Sequence, residues 1–183
     1  LRIIGGTARG MRLKLPPVRI SRPTGDRVKE ALFNIIHNEV PGGKFLDCFA
    51  GSGSIGIEAL SRGAQEAHFI EKNGLAIRVL RENLEKSRLM DKAFIWRGDA
   101  GTILKTRLRE FSFKVVFLDP PYAYPPGEIL LTLEEENLVL PGGIVVLEAS
   151  RRTEFFDLDF WKLREDRVYG DTRLFIWEKE WEK

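Results

Sequence analysis

Between Lys44 and Leu147, short apolar runs alternate with longer stretches whose apolar residues recur at helical spacing. The runs at 45–49, 67–70, 93–96, 113–118 and 143–147 are brief and rich in β-branched and aromatic side chains, which predicts strands. The stretches at 55–62, 75–88, 101–110 and 129–136 predict helices. Gly63 stops the first of these, and Leu75, Val79, Leu80 and Leu84 mark the apolar side of the second. Such alternation implies right-handed crossovers and a parallel sheet with helices on both faces.

Both ends of the chain depart from this rhythm. Residues 1–20 mix basic, apolar and glycine positions without a helical period, as a short hairpin or irregular arm would, and Pro16-Pro17 ends them. Val28, Ala31, Leu32, Ile35 and Ile36 then form one apolar face, predicting a helix over 25–38. Thr24 is its expected N-cap, and Asp26 in the first turn suits the helix dipole. At the far end, 160–168 and 172–178 flank Tyr169-Gly170-Asp171 as an antiparallel hairpin closing a sheet edge. The expected whole is an arm over 1–23 and one α/β domain over 24–183, with a leading helix inside 24–39 and a mostly parallel seven-stranded sheet.

With 183 residues, 43% hydrophobic and 31% charged, the chain suffices for one well-filled core. Cys48 is the lone cysteine, so no internal disulfide can form and a reducing cytoplasm is the expected setting. His37 and His68 lie far apart and suggest no metal site. No apolar run reaches membrane-spanning length and the start lacks a signal-peptide pattern, although beginning at Leu1 points to trimming upstream. Charge is unevenly spread. Residues 1–30 carry eight basic and two acidic side chains, a net of +6 in a chain whose total is +2, so the remainder sums to −4. A basic leading segment on an acidic body suggests a polyanion met at one end.

Two motifs carry the chemistry. The first is Lys114 to Tyr122, an apolar strand that ends in Asp119-Pro120-Pro121-Tyr122. Proline gives no ladder N–H, so the strand stops there and Asp119 falls at its carboxyl end, where open α/β sheets bind ligands. A carboxylate, a rigid carbonyl and a flat ring suit a planar amino group on a base. The second motif is Asp47-Cys48-Phe49-Ala50-Gly51-Ser52-Gly53-Ser54-Ile55-Gly56, a glycine loop between strand and helix. Gly51, Gly53 and Gly56 match G-x-G-x-x-G, and Glu71 follows at the distance of a ribose-binding carboxylate. A dinucleotide would bring its anionic pyrophosphate close to Asp47, which is unfavourable in a partly dry site. S-adenosylmethionine instead brings a sulfonium and an ammonium, so charge favours it. Asp99 is placed either to accept from an adenine amine or to cap the next helix. Cys48 reads as a small buried residue rather than a nucleophile, and Trp96 and Trp177 as core.

The stretch Arg22-Pro23-Thr24-Gly25-Asp26-Arg27-Val28-Lys29-Glu30-Ala31-Leu32-Phe33-Asn34 resembles the signature of RsmD-type bacterial methyltransferases, which methylate the exocyclic N2 of a guanine in 16S ribosomal RNA. The opening Arg2-Ile3-Ile4-Gly5-Gly6, the 46–53 and 56–64 segments, Phe69-Ile70-Glu71-Lys72-Asn73 and Asp119-Pro120-Pro121-Tyr122 are similar to the same family. The resemblance implies a Rossmann-like class I S-adenosylmethionine-dependent fold, with S-adenosylhomocysteine as product and no metal. It puts Asp47 and Gly51, in the segment with Phe49, Ala50, Ser52, Gly53 and Gly56, at the methionine end of the cofactor. Glu71, next to Lys72, falls at the ribose, and Asp99 with Ala100 at the adenine. Asp119, Pro120, Pro121 and Tyr122 would take the base, and Arg9, Arg12, Arg22, Thr24 and Arg27 the RNA. The implied target is the guanine at nucleotide 966, in an assembling small subunit with its ribosomal proteins, met by a cytoplasmic monomer. Rival readings are a DNA adenine-N6 or cytosine-N4 methyltransferase, and a non-catalytic RNA-binding assembly factor of the same fold.

Overall fold

The computed structural model describes residues 1–17, 24–121, 124–154 and 157–181. Its strands are β1 (Lys44–Asp47), β2 (Glu66–Glu71), β3 (Ala93–Arg97), β4 (Phe113–Leu118), β5 (Val139–Ser150), β6 (Lys162–Tyr169) and β7 (Thr172–Glu178). They make one sheet in the order β3-β2-β1-β4-β5-β7-β6. The first five are parallel, and β7 runs antiparallel to both β5 and β6. From β1 the chain builds outward to β3, then returns to start again at β4 on the other side. Crossovers therefore leave in opposite directions at β1 and β4, which opens a crevice at the carboxyl ends of these strands.

The helices are α1 (Asp26–Ile35), α2 (Ser54–Ser61), α3 (Gly74–Ser87), α4 (Ala100–Thr106) and α5 (Pro126–Glu135). Strand side chains alternate between two cores, as a period of two requires. Phe45, Phe69, Phe117 and Val146 pack with Leu32, Ile57, Leu80 and Leu84, so α1, α2 and α3 cover one face. Leu46, Ile70, Val116 and Leu147 pack with Leu104, Ile129 and Leu133, so α4 and α5 cover the other. Among the described residues no helix is long and apolar enough to cross a membrane.

Several expected boundaries shift for local reasons. Phe49 lies beyond β1, which ends at Asp47 as the chain turns into the glycine loop. β5 begins at Val139 rather than Gly143, because an irregularity between the Phe113 and Val115 pairings lets the Pro141-Gly142 kink stay within the strand. Helix α1 ends at Ile35, capped by the Ile36 N–H on the Leu32 carbonyl. Its buried face is Lys29, Leu32, Phe33 and Ile36, the expected period rotated by about one position. In α3 the buried side is Ala76, Ile77, Leu80, Asn83 and Leu84, whereas Leu75 is exposed.

Residues 1–13 form a hairpin, with Ile3 N–H on the Met11 carbonyl at 2.9 Å and Gly10 N–H on the Ile3 carbonyl at 2.8 Å. It is not a loose appendage. Ile3 and Leu13 are buried in the same core as α1, α2 and α3. The Glu58 carboxylate of α2 accepts the Ile4 and Gly5 N–H groups at 2.9 and 2.8 Å. Lys29, also fully buried, reaches Glu58 at 3.5 Å and donates to the Ser54 hydroxyl at 3.1 Å. One buried polar knot thus joins the hairpin, α1 and α2.

Candidate active site

Register places four carboxylates along one side of the crevice. Asp47 pairs with Phe69 on β2 and with Phe117 on β4, and Phe117 pairs with Val146 on β5. Two residues further along each of those neighbours come Glu71, Asp119 and Glu148, and a two-residue step returns a side chain to the same face. Across the sheet the row therefore reads Glu71, Asp47, Asp119, Glu148, on the face covered by α1, α2 and α3. Glu148 was not foreseen from sequence, though the signal was there. It closes the apolar run of β5 just as Asp119 closes that of β4.

The glycine loop is held tightly behind this row. Gly53 caps α2 at φ +80, and at Gly56 an added Cβ would stand 2.2 Å from the Phe69 ring, so that position admits only hydrogen. Gly56 N–H donates to Asp47 Oδ2 at 3.1 Å, tying the first turn of α2 to the end of β1. Gly51 N–H donates to Glu71 Oε2 at 2.8 Å, and Asn73 N–H to Glu71 Oε1 at 2.8 Å. Asn73 in turn caps α3 by accepting from the Leu75 and Ala76 N–H groups. Asn73 closes the 69–73 segment picked out in the sequence, where it was given no role of its own.

A cavity of about 450 Å³ opens beside the loop. Phe49, Gly51, Glu71, Lys72, Asp99, Ala100, Asp119, Pro120 and Pro121 line it, bringing together residues from the ends of β1, β2, β3 and β4. Its size and its mixture of apolar wall and convergent carboxylates are those of a small-molecule site. A larger hollow of about 560 Å³ lies at the amino ends of β1 and β4, beside Lys44 and Lys114, away from this chemistry. Asp99 Oδ1 accepts the Thr102 N–H at 3.1 Å, so it does cap α4 while it also faces the cavity. Tyr124 completes the wall, its ring edge-on to Phe49 at 5.5 Å between centroids. Tyr122, the ring expected there, lies outside the described residues.

Not every expected residue reaches that cavity. Asp47, Ala50 and Ser52 line a separate void of about 30 Å³ with Thr24 and Asp119, because the Asp47 carboxylate is turned in to hold Gly56. Gly53 and Gly56 line neither space; their role is to let loop and helix pack closely. Thr24 neither caps α1 nor stands on the surface. Gly25 is the N-cap, and the buried Thr24 hydroxyl donates to Glu148 Oε2 at 2.6 Å. Arg9, Arg12 and Arg27 are exposed. Arg22 lies outside the described residues.

Electrostatics distinguish the row from ordinary surface acids. Burial pushes the Asp47 carboxyl up to about 7; the Gly56 N–H opposes this, and Glu71 and Glu148 add repulsion. Burial also raises Asp119, helped by Glu148 and Asp47, and raises Glu148 against the pull of the Thr24 hydroxyl. Among the described residues no cationic side chain offsets these three groups. Like charges in a dry crevice, without a counterion among the described residues, favour a ligand that brings positive charge. A sulfonium meets that demand and a pyrophosphate does not.

Comparisons with known proteins point the same way. A family model described as conserved hypothetical protein 95 matches residues 1–178. The Bacillus subtilis protein YlbH is 39% identical over 183 residues, covering 98% of this chain and 99% of the relative. The Haemophilus influenzae ribosomal RNA small subunit methyltransferase D is 34% identical, covering 93% of this chain and 89% of the relative. Among solved structures, that of the Escherichia coli protein yhhF matches with a TM-score of 0.87 at 31% identity, over 98% of each chain.

Proposed function

The chain belongs to the family described as conserved hypothetical protein 95, and from that membership we propose that it methylates the exocyclic N2 of a guanine in 16S ribosomal RNA. The coarser statement comes with the family: an S-adenosylmethionine-dependent methyltransferase of ribosomal RNA with a Rossmann-like class I fold. The finer one rests on Asp119. It lines the same cavity as Glu71 and Asp99, at the carboxyl end of β4, without a cationic neighbour among the described residues.

S-adenosylmethionine, when bound, supplies an electrophilic methyl on a positively charged sulfur. In this reading Glu71 takes the ribose hydroxyls, Asp99 and Ala100 the adenine edge, and Asp47 sets a negative field behind Gly51 at the methionine end. Lys72 and Phe49 close the cavity wall. The lone pair of an exocyclic guanine amine is delocalised into the ring, so the nitrogen is a poor nucleophile. Asp119 and the Pro120 carbonyl accept its two N–H groups, draw it toward a pyramidal shape and stabilise the charge that develops on it. Tyr122 and Pro121 hold the base plane so that the nitrogen faces the methyl. The base must first leave its stack, which is easiest in an RNA loop. Arg9, Arg12, Arg22 and Arg27 grip the phosphates of the assembling small subunit, which the protein meets as a cytoplasmic monomer beside ribosomal proteins.

The test is methyl transfer from labelled S-adenosylmethionine to small subunits lacking the modification, followed by nucleoside mass analysis. The expected product is N2-methylguanosine in 16S RNA, and Asp119→Asn lowers the rate at least about a hundredfold while the cofactor still binds. Label in another nucleoside, or none in RNA, would refute the assignment.

A further inference from the structure

Resting on the reading above, we propose that Glu148 selects guanine by accepting the ring N1–H that neighbours the amine held at Asp119. Leu118 pairs with Leu147 on adjacent parallel strands, so Asp119 and Glu148 are the next residues along, side by side on one face. Strands lie about 4.8 Å apart, a spacing that suits acceptors for two donors diverging from one base edge. Position in the row supplies the direction. Gly51 and Glu71 stand on one side of Asp119 and Glu148 on the other, in the strand order β2-β1-β4-β5. With the methyl donor on the Gly51 side, the ring bearing the amine extends toward β5.

The Glu148 carboxylate is set for such a contact. Its Oε2 takes the Thr24 hydroxyl at 2.6 Å, which fixes its orientation and leaves Oε1 without a hydrogen-bond or ion-pair partner among the described residues. The chemistry then separates the three amino bases. In guanine, the ring nitrogen beside the exocyclic amine and on its Watson–Crick edge is N1, which carries a hydrogen. In adenine and cytosine the corresponding ring nitrogen is a bare acceptor, whose lone pair a carboxylate repels. Glu148 thus favours guanine and disfavours the substrates of DNA amino-methyltransferases.

A 2-aminopurine nucleotide tests this directly, because it keeps the 2-amino group and lacks the N1 hydrogen. Small subunits are reconstituted with guanine or 2-aminopurine at the modified nucleotide, and kcat/KM is measured for the wild-type protein, Glu148→Gln and Thr24→Val. The wild type prefers guanine by at least about tenfold. Glu148→Gln, whose amide can donate to a bare N1, brings the two substrates to within about threefold. Thr24→Val, which frees the carboxylate to swing, gives an intermediate ratio and stands in should the Gln variant fail to fold. Equal use of both substrates by the wild type overturns the inference, as does a guanine preference unchanged in a folded Glu148→Gln. Failure of the wild type to methylate the guanine particle instead defeats the parent reading, and this one with it.

Discussion

Gly51 N–H meets Glu71 Oε2 at 2.8 Å, so the acid that ends β2 also fixes the glycine loop that follows β1. The Asn73 N–H on its other oxygen prevents the carboxylate from rotating. A single side chain therefore shapes the cavity wall and presents acceptor lone pairs to it. Glu71→Ala removes both roles. Its expected outcome is a loss of S-adenosylmethionine affinity of at least about tenfold, since charge-assisted hydrogen bonds contribute about 1.5–3 kcal/mol. Isothermal titration measures it, and unaltered affinity would place the ribose elsewhere.

The acidic row makes the protein sensitive to pH near neutrality. Asp47 has a pKa of about 7 in the folded chain against the ordinary aspartate value of 3.8 when unfolded, so between these values the folded form keeps a proton that the unfolded form has released. Its stability contribution is thus fully present below 3.8 and is lost as pH rises through about 7. Asp47→Asn is expected to flatten the pH dependence of the unfolding free energy over that window and to raise stability at pH values above it.

The same linkage reverses sign for the cofactor. A cation prefers the ionised row, so S-adenosylmethionine binding releases protons and tightens as pH rises through about 7. Titrations in buffers of different ionisation enthalpy count those protons. An affinity independent of pH would mean that Asp47 does not sense the bound charge.

Glu58 is the centre of the buried knot, accepting from Ile4, Gly5 and Arg62 and facing Lys29. Its removal leaves the Lys29 ammonium buried without its anion, a change that costs about 3–5 kcal/mol. Denaturant unfolding of Glu58→Ala should show that loss, and the amino-terminal hairpin should become the first site of limited proteolysis. A loss below about 1 kcal/mol would assign the knot no more weight than a surface pair.

Gly56→Ala sets two effects against each other. Alanine in a helix is favoured over glycine by about 1 kcal/mol, but its Cβ would meet the Phe69 ring at 2.2 Å. Overpacking of that severity costs about 1–3 kcal/mol, so net destabilisation is expected. The double variant Gly56→Ala, Phe69→Leu should recover part of it. Purely additive effects in that cycle would show that the ring is not the obstacle.

Arg9, Arg12 and Arg27 are exposed on the hairpin and on α1. Replacing all three with alanine should weaken RNA binding uniformly across sequences. The slope of log affinity against log salt should fall by about 2–3 units. Filter binding at several salt concentrations reads it, and an unchanged slope would leave these arginines as ordinary surface.

Much of this architecture follows from local chemistry and was legible in the order of residues. Short β-rich runs and helical periods specify β4 or α3 because burial on a sheet or a helix imposes a period that neighbours in sequence reveal. The end of β4 at Asp119 follows from proline lacking an N–H, and the Gly51–Glu71 spacing follows from the length of a βα unit. What depended on contacts across the chain was invisible. Thr24 looked like a helix cap, and only the approach of the segment before α1 to β5, 124 residues away, turned its hydroxyl to Glu148. Lys29 counted in the sequence only as one of eight basic side chains near the amino terminus, and its burial against Glu58 arises where the hairpin and α2 close around it. Sequence alone thus determined that β1, β2 and β4 end in carboxylates, while tertiary structure added Glu148 of β5 and decided that the four form one row on one face, because register and strand order arise from pairing between distant segments.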